Sequence, residues 1–228
     1  MNTLARRRSH RYPDYHPGDE LIAAYASGAL DEASALAVAS HLTLCPACRS
    51  HVALFESVGG DLIEELPEAS MGQGAFAATL ARAKLMSGPV KNDAAPLAAG
   101  AQPILPAPVR QYVGGDLDSA KWRAIGPGID HMPLLRSGST TARLLRIAPG
   151  RSVFGHTHGG TELTLVLKGS YASQGQHYAR GDIEVADESV NHRPIAGKED
   201  ICICLAVTDA PLRFGNWIGR LMQPFIGI

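Results

Sequence analysis

The segment from Ser87 to Pro108 divides this chain into two parts, and no other feature limits its fold so strongly. Its 22 residues contain five prolines, two glycines and six alanines, a composition that sustains neither a helix nor a strand. We therefore predict a linker over residues 87–108, between a first domain over residues 1–86 and a second over residues 109–228. Because proline favours extended, semi-rigid backbone, we expect the two domains to be able to change their relative position.

Before the linker, apolar residues recur with the spacing of α-helices. The pattern predicts four helices, which begin near Asp19, Asp31, Pro46 and Ser70. The third helix is expected to run toward residue 65, with a weak point at Gly59 and Gly60. Its predicted core positions are Val52, Phe55 and Leu62.

After the linker, the pattern changes to short apolar runs between turns rich in glycine. The clearest runs cover residues 142–147, 163–167 and 201–205. Short strands of this kind favour a small antiparallel barrel or jelly roll. The predicted fold class is therefore a multidomain α plus β chain, in which a helical domain precedes an antiparallel β domain.

Four residues of the second domain have the identity and spacing of metal ligands, namely His156, His158, Glu162 and His192. Alternate residues of a strand share a face, so the first three side chains can point the same way. His192 follows a strand-like run over residues 183–186, and an antiparallel neighbour could bring it back to the other three. This donor set suits zinc, manganese or iron.

The spacing G(x5)HxH(x3)E(x6)G, which begins at Gly150, resembles the first cupin motif and meets every fixed position of it. The second cupin motif, G(x5)PxG(x2)H(x3)N, is met only at Gly181 and His192. Its proline, glycine and asparagine are replaced by Asp187, Ser189 and Ala196. The resemblance implies one of two sites. An enzyme, such as a dioxygenase or isomerase, would keep an open metal position, whereas a sensor could close the site with four protein ligands.

A second group of potential ligands lies at the junction of the second and third predicted helices. His41, Cys45 and Cys48 form H-x3-C-x2-C, and residues four apart on a helix share a face. Two thiolates and an imidazole favour zinc, which in a structural site takes a fourth protein ligand. We prefer His16 as that ligand, with His51 as a competitor and His10 as a weaker one.

The motif H-x24-H-x3-C-x2-C in a helical domain, followed by a cupin motif, resembles the ChrR family of anti-sigma factors over nearly the whole chain. The run Cys202-Ile-Cys204, followed by TDAPLRF, belongs to the same resemblance. The resemblance implies a cytoplasmic regulator that is not an enzyme. Such a protein sequesters an extracytoplasmic-function sigma factor and releases it in response to singlet oxygen or related oxidants. Zinc is then expected in the first domain.

The fourth predicted helix carries a narrow apolar stripe, formed by Phe76, Leu80 and Ala83. So small a domain offers this helix little to pack against. We therefore interpret Phe76 and Leu80 as a surface that docks on the sigma factor. The alternative is that the helix folds back onto its own domain.

Cys202 and Cys204 lie two residues apart in a predicted strand and should share a face. The simpler interpretation is two small core residues. The functional hypothesis is that they respond to oxidants. A direct disulfide between neighbours on one strand would be strained, so sulfenic acid formation or a change at the metal site is the easier chemistry.

The overall charge does not favour nucleic acid or an anionic membrane surface as a partner, because the formal net charge is only −1. The longest apolar run, residues 201–207, has seven residues and is too short to cross a bilayer. The first residues also lack the apolar region of a signal peptide. We therefore expect a cytoplasmic protein.

Overall fold

A computed structural model describes residues 12–86, 102–153, 156–157, 159–210 and 213–214, with only the backbone of His156, Arg213 and Phe214. Its helices are α1 (Asp19–Ala26), α2 (Glu32–Leu44), α3 (Pro46–Glu64), α4 (Ala75–Met86) and α5 (Ala107–Val113). The first four lie where the sequence predicted helices. No helix in the described part of the chain is both long and apolar enough to span a membrane.

Capping residues explain why α2 and α3 begin where they do. The Asp31 carboxylate accepts hydrogen bonds from the amides of Ala33 and Ser34, at 2.9 and 3.2 Å. Cys45 ends α2 and caps α3, and Pro46 occupies the first turn of α3, where a missing amide hydrogen costs nothing. This compact junction fixes the angle between the two helices and the position of both Cys45 and Cys48.

The third helix has the predicted extent but differs from the prediction at one core position. It continues without a break through Gly59 and Gly60 to Glu64. Val52 is buried and Phe55 packs partly against the same core, but Leu62 is 61% exposed, so its assignment to the core was wrong. The physical reason is length, because the second half of α3 extends beyond the small core that its first half shares with α1 and α2.

The second domain consists of short antiparallel strands. They are β1 (Arg123–Gly126), β2 (Ile129–Ser137), β3 (Thr140–Ile147), β4 (His156–Thr157), β5 (Glu162–Lys168), β6 (Ser170–Ser173), β7 (Gln176–Ala179), β8 (Ile183–Ala186), β9 (Asn191–His192), β10 (Ile195–Ala196), β11 (Cys202–Thr208) and β12 (Arg213–Phe214). One sheet has the order β1-β2-β3-β11-β5-β8, and two smaller sheets have the orders β10-β6-β7 and β12-β4-β9.

The inner face of the large sheet packs on the strand pair β6-β7. Alternation along β11 directs Cys202 and Cys204 to this side, where they meet Val166, Tyr171 and Tyr178. The result is a domain of antiparallel sheets, as the strand pattern predicted, with aromatic side chains between the large sheet and β6-β7.

The outer face of the large sheet is covered by α2 and α5. Leu36 of α2 and Val109 of α5 belong to one core with Leu144, Leu165 and Leu205 of the sheet. Helix α2 is therefore buried on two sides, because its other face packs against α1 and α3. In this structure, the two domains share a hydrophobic core rather than being joined only by a tether.

The C-terminal part of the predicted linker is ordered structure, so the boundary at residue 108 was wrong. Residues 87–101 lie outside the described chain, but Leu105 is only 1% exposed and α5 begins at Ala107. Asp116 accepts hydrogen bonds from the amides of Ile104 and Leu105, at 2.9 and 2.8 Å. Prolines near a helix N-terminus do not prevent the helix, which explains why the composition was misleading here.

Candidate metal sites

The predicted N-terminal ligands converge on one point. Ligand atoms of His16, His41, Cys45 and Cys48 all lie within 4.8 Å of one another. His16 Nδ1 is 3.4 Å from each thiol sulfur, and His41 Nε2 is 3.3 Å from the sulfur of Cys48. A tetrahedral zinc ion with ordinary bond lengths separates nitrogen and sulfur ligands by about 3.5 Å, so this donor set fits zinc.

A defined element of local structure positions each of these four side chains. His41 lies in the last turn of α2, Cys45 caps α3, and Cys48 lies in the first turn of α3. His16 comes from the extended segment before α1. Three of the four residues are buried, and only His16 is exposed to solvent. The site therefore joins the chain segment before α1 to the α2–α3 junction.

The electrostatic surroundings of two of the buried ligands also bear on cation binding. Burial lowers the pKa of His41 to about 4, so its imidazole is neutral and able to coordinate. Burial and the neighbouring Cys45 raise the pKa of Cys48 to about 12. The surrounding protein therefore does not stabilise the negative charge of a Cys48 thiolate, and a bound divalent cation would do so.

The competing ligand His51 does not join this group. Its ring points to Asp19, at 3.8 Å, and its side chain is largely exposed. On the helix, Cys48 faces the core while His51 faces solvent. The weaker alternative, His10, lies outside the described residues.

In the second domain, the backbone pairs two of the predicted cupin ligands. His156 of β4 is paired directly with His192 of β9, and Glu162 begins β5, which lies between β11 and β8. The antiparallel return expected for His192 is therefore present in the backbone. His158 lies outside the described residues, as does the side chain of His156.

Glu162 is buried in a polar part of the domain interior. Its carboxylate accepts a hydrogen bond from the Thr164 hydroxyl at 2.8 Å. Burial lowers the pKa of Arg143, and the negative charge of Glu162 partly opposes that shift. The glutamate therefore lies in a charged environment rather than a purely apolar one.

His192 is held by two residues that the sequence did not single out. Its Nδ1 atom lies 3.1 Å from the Ser173 hydroxyl and 3.4 Å from a carboxylate oxygen of Glu184. Burial raises the pKa of Glu184, but hydrogen bonds from His192, Tyr171 and Ser173 lower it below its ordinary value overall. With Nδ1 engaged in this way, Nε2 is the nitrogen that a metal would take.

Glu184 could have been found from one signal in the sequence. It lies between the apolar residues Ile183 and Val185 in a strand-like run, and in this fold its side chain is buried. A carboxylate in such a strand needs a buried partner. The identity of that partner, however, depends on how β8 faces β6 and β9, which the spacing alone does not reveal.

Cys202 and Cys204 share the inner face of β11, as predicted, and are completely buried. Their sulfur atoms are 3.5 Å apart. The hydrogen bond between the two thiols and burial raise the pKa of Cys204 well above its ordinary value. In this environment the thiol form of Cys204 is favoured over the thiolate.

The surface of α3 and α4 is unusually apolar. Leu54, Val58 and Leu62 lie along one side of α3 at intervals of four residues, and on α4 Phe76 and Leu80 are exposed by 74% and 44%. No residue of α4 is buried by the described part of the chain. The predicted alternative, in which α4 folds onto its own domain, is therefore not what the structure has.

Comparisons with known proteins match both halves of the chain. Residues 110–211 match the family described as "ChrR Cupin-like domain", and residues 19–49 match the family described as "Putative zinc-finger". The zinc-finger match includes His41, Cys45 and Cys48 and begins just after His16. These matches and the antiparallel sheets confirm the predicted fold class.

Two relatives cover nearly the full length. The chain is 41% identical over 214 residues to the anti-sigma-E factor ChrR of Cereibacter sphaeroides, an alignment that spans 94% of this chain and 98% of that protein. It also resembles a chain in the crystal structure of Rhodobacter sphaeroides SigE in complex with the anti-sigma ChrR. The TM-score is 0.74 and the identity 38%, over 85% of this chain and 98% of that one.

Proposed function

The chain belongs to the ChrR family of anti-sigma factors, and we propose that it binds and inhibits an extracytoplasmic-function sigma factor. Membership of this family makes the chain a transcription regulator and not an enzyme, so the dioxygenase and isomerase alternatives are set aside. The observation that carries the proposed binding is the exposed apolar surface of α3 and α4, formed by Leu54, Val58, Leu62, Phe76 and Leu80.

This surface is better suited to contact with a protein partner than to exposure to solvent. Large apolar side chains at intervals of four residues form a continuous stripe on a helix. Phe76 provides the aromatic anchor that dominates the energy of many interfaces. The partner is thus a protein with an apolar groove, which is how amphipathic helices are commonly recognised. Neither nucleic acid nor a membrane is part of the proposed interaction.

We further propose that His16, His41, Cys45 and Cys48 hold a structural zinc ion. The near-tetrahedral spacing of their donor atoms supports this assignment. Bound zinc would supply folding free energy to a helical domain with a small core, and it would lock the segment before α1 to the α2–α3 junction.

The second domain is the proposed receiver of the signal. Its metal site would consist of His156, His158, Glu162 and His192 and would hold zinc or another divalent metal, such as manganese or iron. We propose that oxidative stress, for example singlet oxygen, acts on this domain in the cytoplasm and causes release of the sigma factor. Cys202 and Cys204 are the proposed oxidant-responsive thiols, and they lie in the same interior as Glu184 and His192.

An in vitro transcription assay tests the proposed inhibition. The full-length chain, added to RNA polymerase carrying the extracytoplasmic-function sigma factor of the same genome, should abolish transcription near equimolar amounts. The same chain should leave a promoter that depends on the principal sigma factor unaffected. Undiminished transcription from the first promoter would contradict the proposal.

A further inference from the structure

The segment that carries His16 is bonded to the β domain. The Asp182 carboxylate, just before β8, accepts hydrogen bonds from the amides of Asp14 and Tyr15, at 2.7 and 3.1 Å. The Ile183 amide donates to the Tyr15 carbonyl at 3.2 Å. Residues 14 and 15 therefore lie along the start of β8, and His16 follows them directly.

A second ligand of the proposed zinc site is bonded to the same loop. The His41 Nδ1–H group donates to the Gly181 carbonyl at 2.8 Å, which leaves Nε2 directed toward Cys48. This bond fixes both the tautomer and the orientation of the imidazole. The β domain thus orients two of the four ligands without contributing a ligand of its own.

Side-chain packing reinforces this contact. The Tyr15 ring lies against Tyr178 of β7, with 4.5 Å between centroids. Gly181 has a φ of 96°, and a Cβ atom on it would lie 2.8 Å from the Pro13 ring. The chain can therefore approach this closely only because residue 181 is glycine.

We propose that Gly181 and Asp182 are positioning residues of the N-terminal zinc site, so that zinc affinity and docking of the two domains depend on each other. This inference rests on the zinc site proposed above. Residues that orient metal ligands commonly change metal affinity by about 10- to 100-fold. Zinc binding and domain docking are then thermodynamically linked. If zinc favours docking of the two domains by a given factor, separating the β domain from this segment must weaken zinc binding by the same factor.

The coupling reaches the second metal site through β8. Glu184 lies two residues after Asp182 and contacts His192 in the domain interior. The chain segment from Gly181 to Glu184 therefore contacts His41 of one proposed metal site and His192 of the other. A shift of β8 caused by a change at His192 would move the carbonyl and carboxylate that orient His41 and His16.

Zinc competition on full-length variants tests this inference. In Asp182→Ala the carboxylate is lost, and we expect zinc affinity, measured against a chromophoric chelator, to fall by about 10- to 100-fold. Asp182→Asn separates two roles of this side chain. The side-chain oxygen of the asparagine can still accept hydrogen bonds from the amides of Asp14 and Tyr15. The second carboxylate oxygen of Asp182, which accepts from the Ala179 amide at 2.7 Å, is replaced by an NH2 group that cannot accept this bond.

The proposal expects Asp182→Asn to bind zinc nearly as wild type does. Cobalt in place of zinc gives a second readout, because its d–d bands report the geometry of the ligands. In Asp182→Ala these bands should change while the thiolate charge-transfer band persists. Asp200→Ala is the matched control, since Asp200 is an exposed carboxylate of the β domain that pairs with Lys168. Tyr15→Ala, which leaves the β domain unaltered, should weaken zinc binding in the same direction as Asp182→Ala.

Three results would overturn the inference. Folded Asp182→Ala and Tyr15→Ala chains with wild-type zinc affinity would show that the loop does not position the ligands. An equal loss of zinc affinity in Asp182→Asn or Asp200→Ala would show that the affinity depends on the general stability of the β domain and not on the orientation of the ligands. A wild-type chain that binds no zinc at this site would refute the zinc proposal itself, and it is distinguishable because its cobalt complex would lack thiolate bands.

Discussion

Replacing Phe76 by alanine tests whether the aromatic ring stabilises the folded chain or contributes to binding the sigma factor. Because the side chain is 74% exposed, the fold buries only about a quarter of it. Full burial of a phenylalanine contributes about 1.5–3 kcal/mol, so the substitution should reduce the free energy of unfolding by less than about 1 kcal/mol. At an interface, loss of an aromatic anchor costs about 2–4 kcal/mol, which corresponds to a loss of about 30- to 900-fold in affinity.

The assay is a titration of the labelled sigma factor with full-length wild type and variant, combined with chemical denaturation of each chain alone. Ile195→Ala is the control, since Ile195 is likewise a large apolar side chain that is exposed to solvent, but it lies on the β domain. We expect Phe76→Ala to lose affinity while both variants remain nearly as stable as wild type. If Phe76→Ala binds within twofold of wild type, α4 is not the docking surface and the reasoning from exposure fails.

Three further predictions concern the interior. Leu36→Ala should reduce the free energy of unfolding by about 2–4 kcal/mol in urea denaturation, because Leu36 is buried between α2 and the large sheet; a cost below about 1 kcal/mol would mean that the domains do not share this core. Glu184→Ala should lower metal retention by the β domain about 10- to 100-fold, as measured by elemental analysis after dialysis, and unchanged retention would exclude Glu184 as a support of His192. The double variant Cys202→Ala, Cys204→Ala should still bind the sigma factor but should not release it under singlet oxygen, and normal release would leave both thiols as core residues only.

The sequence was most informative where a local rule determines the structure. Asp31 and Pro46 begin helices because a cap and a fixed φ angle act within a few residues, and the junction that follows brings Cys45 and Cys48 together. His16 could be proposed from its spacing, but the sequence did not decide between it and His51. That choice depends on the path of the chain before α1, which is set by Asp182, more than 160 residues away.

The features that were missed all depend on contacts between distant segments. Helix α2 has two buried faces, and its second face could not be assigned before the large sheet was known. Leu105 was assigned to a linker because its neighbours are proline and alanine, yet it is buried in the core that α2 and α5 form with the large sheet. Glu184 belonged to an apparently ordinary strand, and its role emerged only when Tyr171 and His192 were found beside it.

Native mass spectrometry of the full-length chain, co-expressed with its extracytoplasmic-function sigma factor, tests the proposed anti-sigma function and the zinc site together. We expect a complex of one chain and one sigma factor that retains zinc bound to the N-terminal cysteines and histidines. The double variant Cys45→Ala, Cys48→Ala should lose that zinc and much of the complex. A wild-type chain that carries iron or manganese, holds no zinc at the N-terminal site and never associates with the sigma factor would refute both proposals.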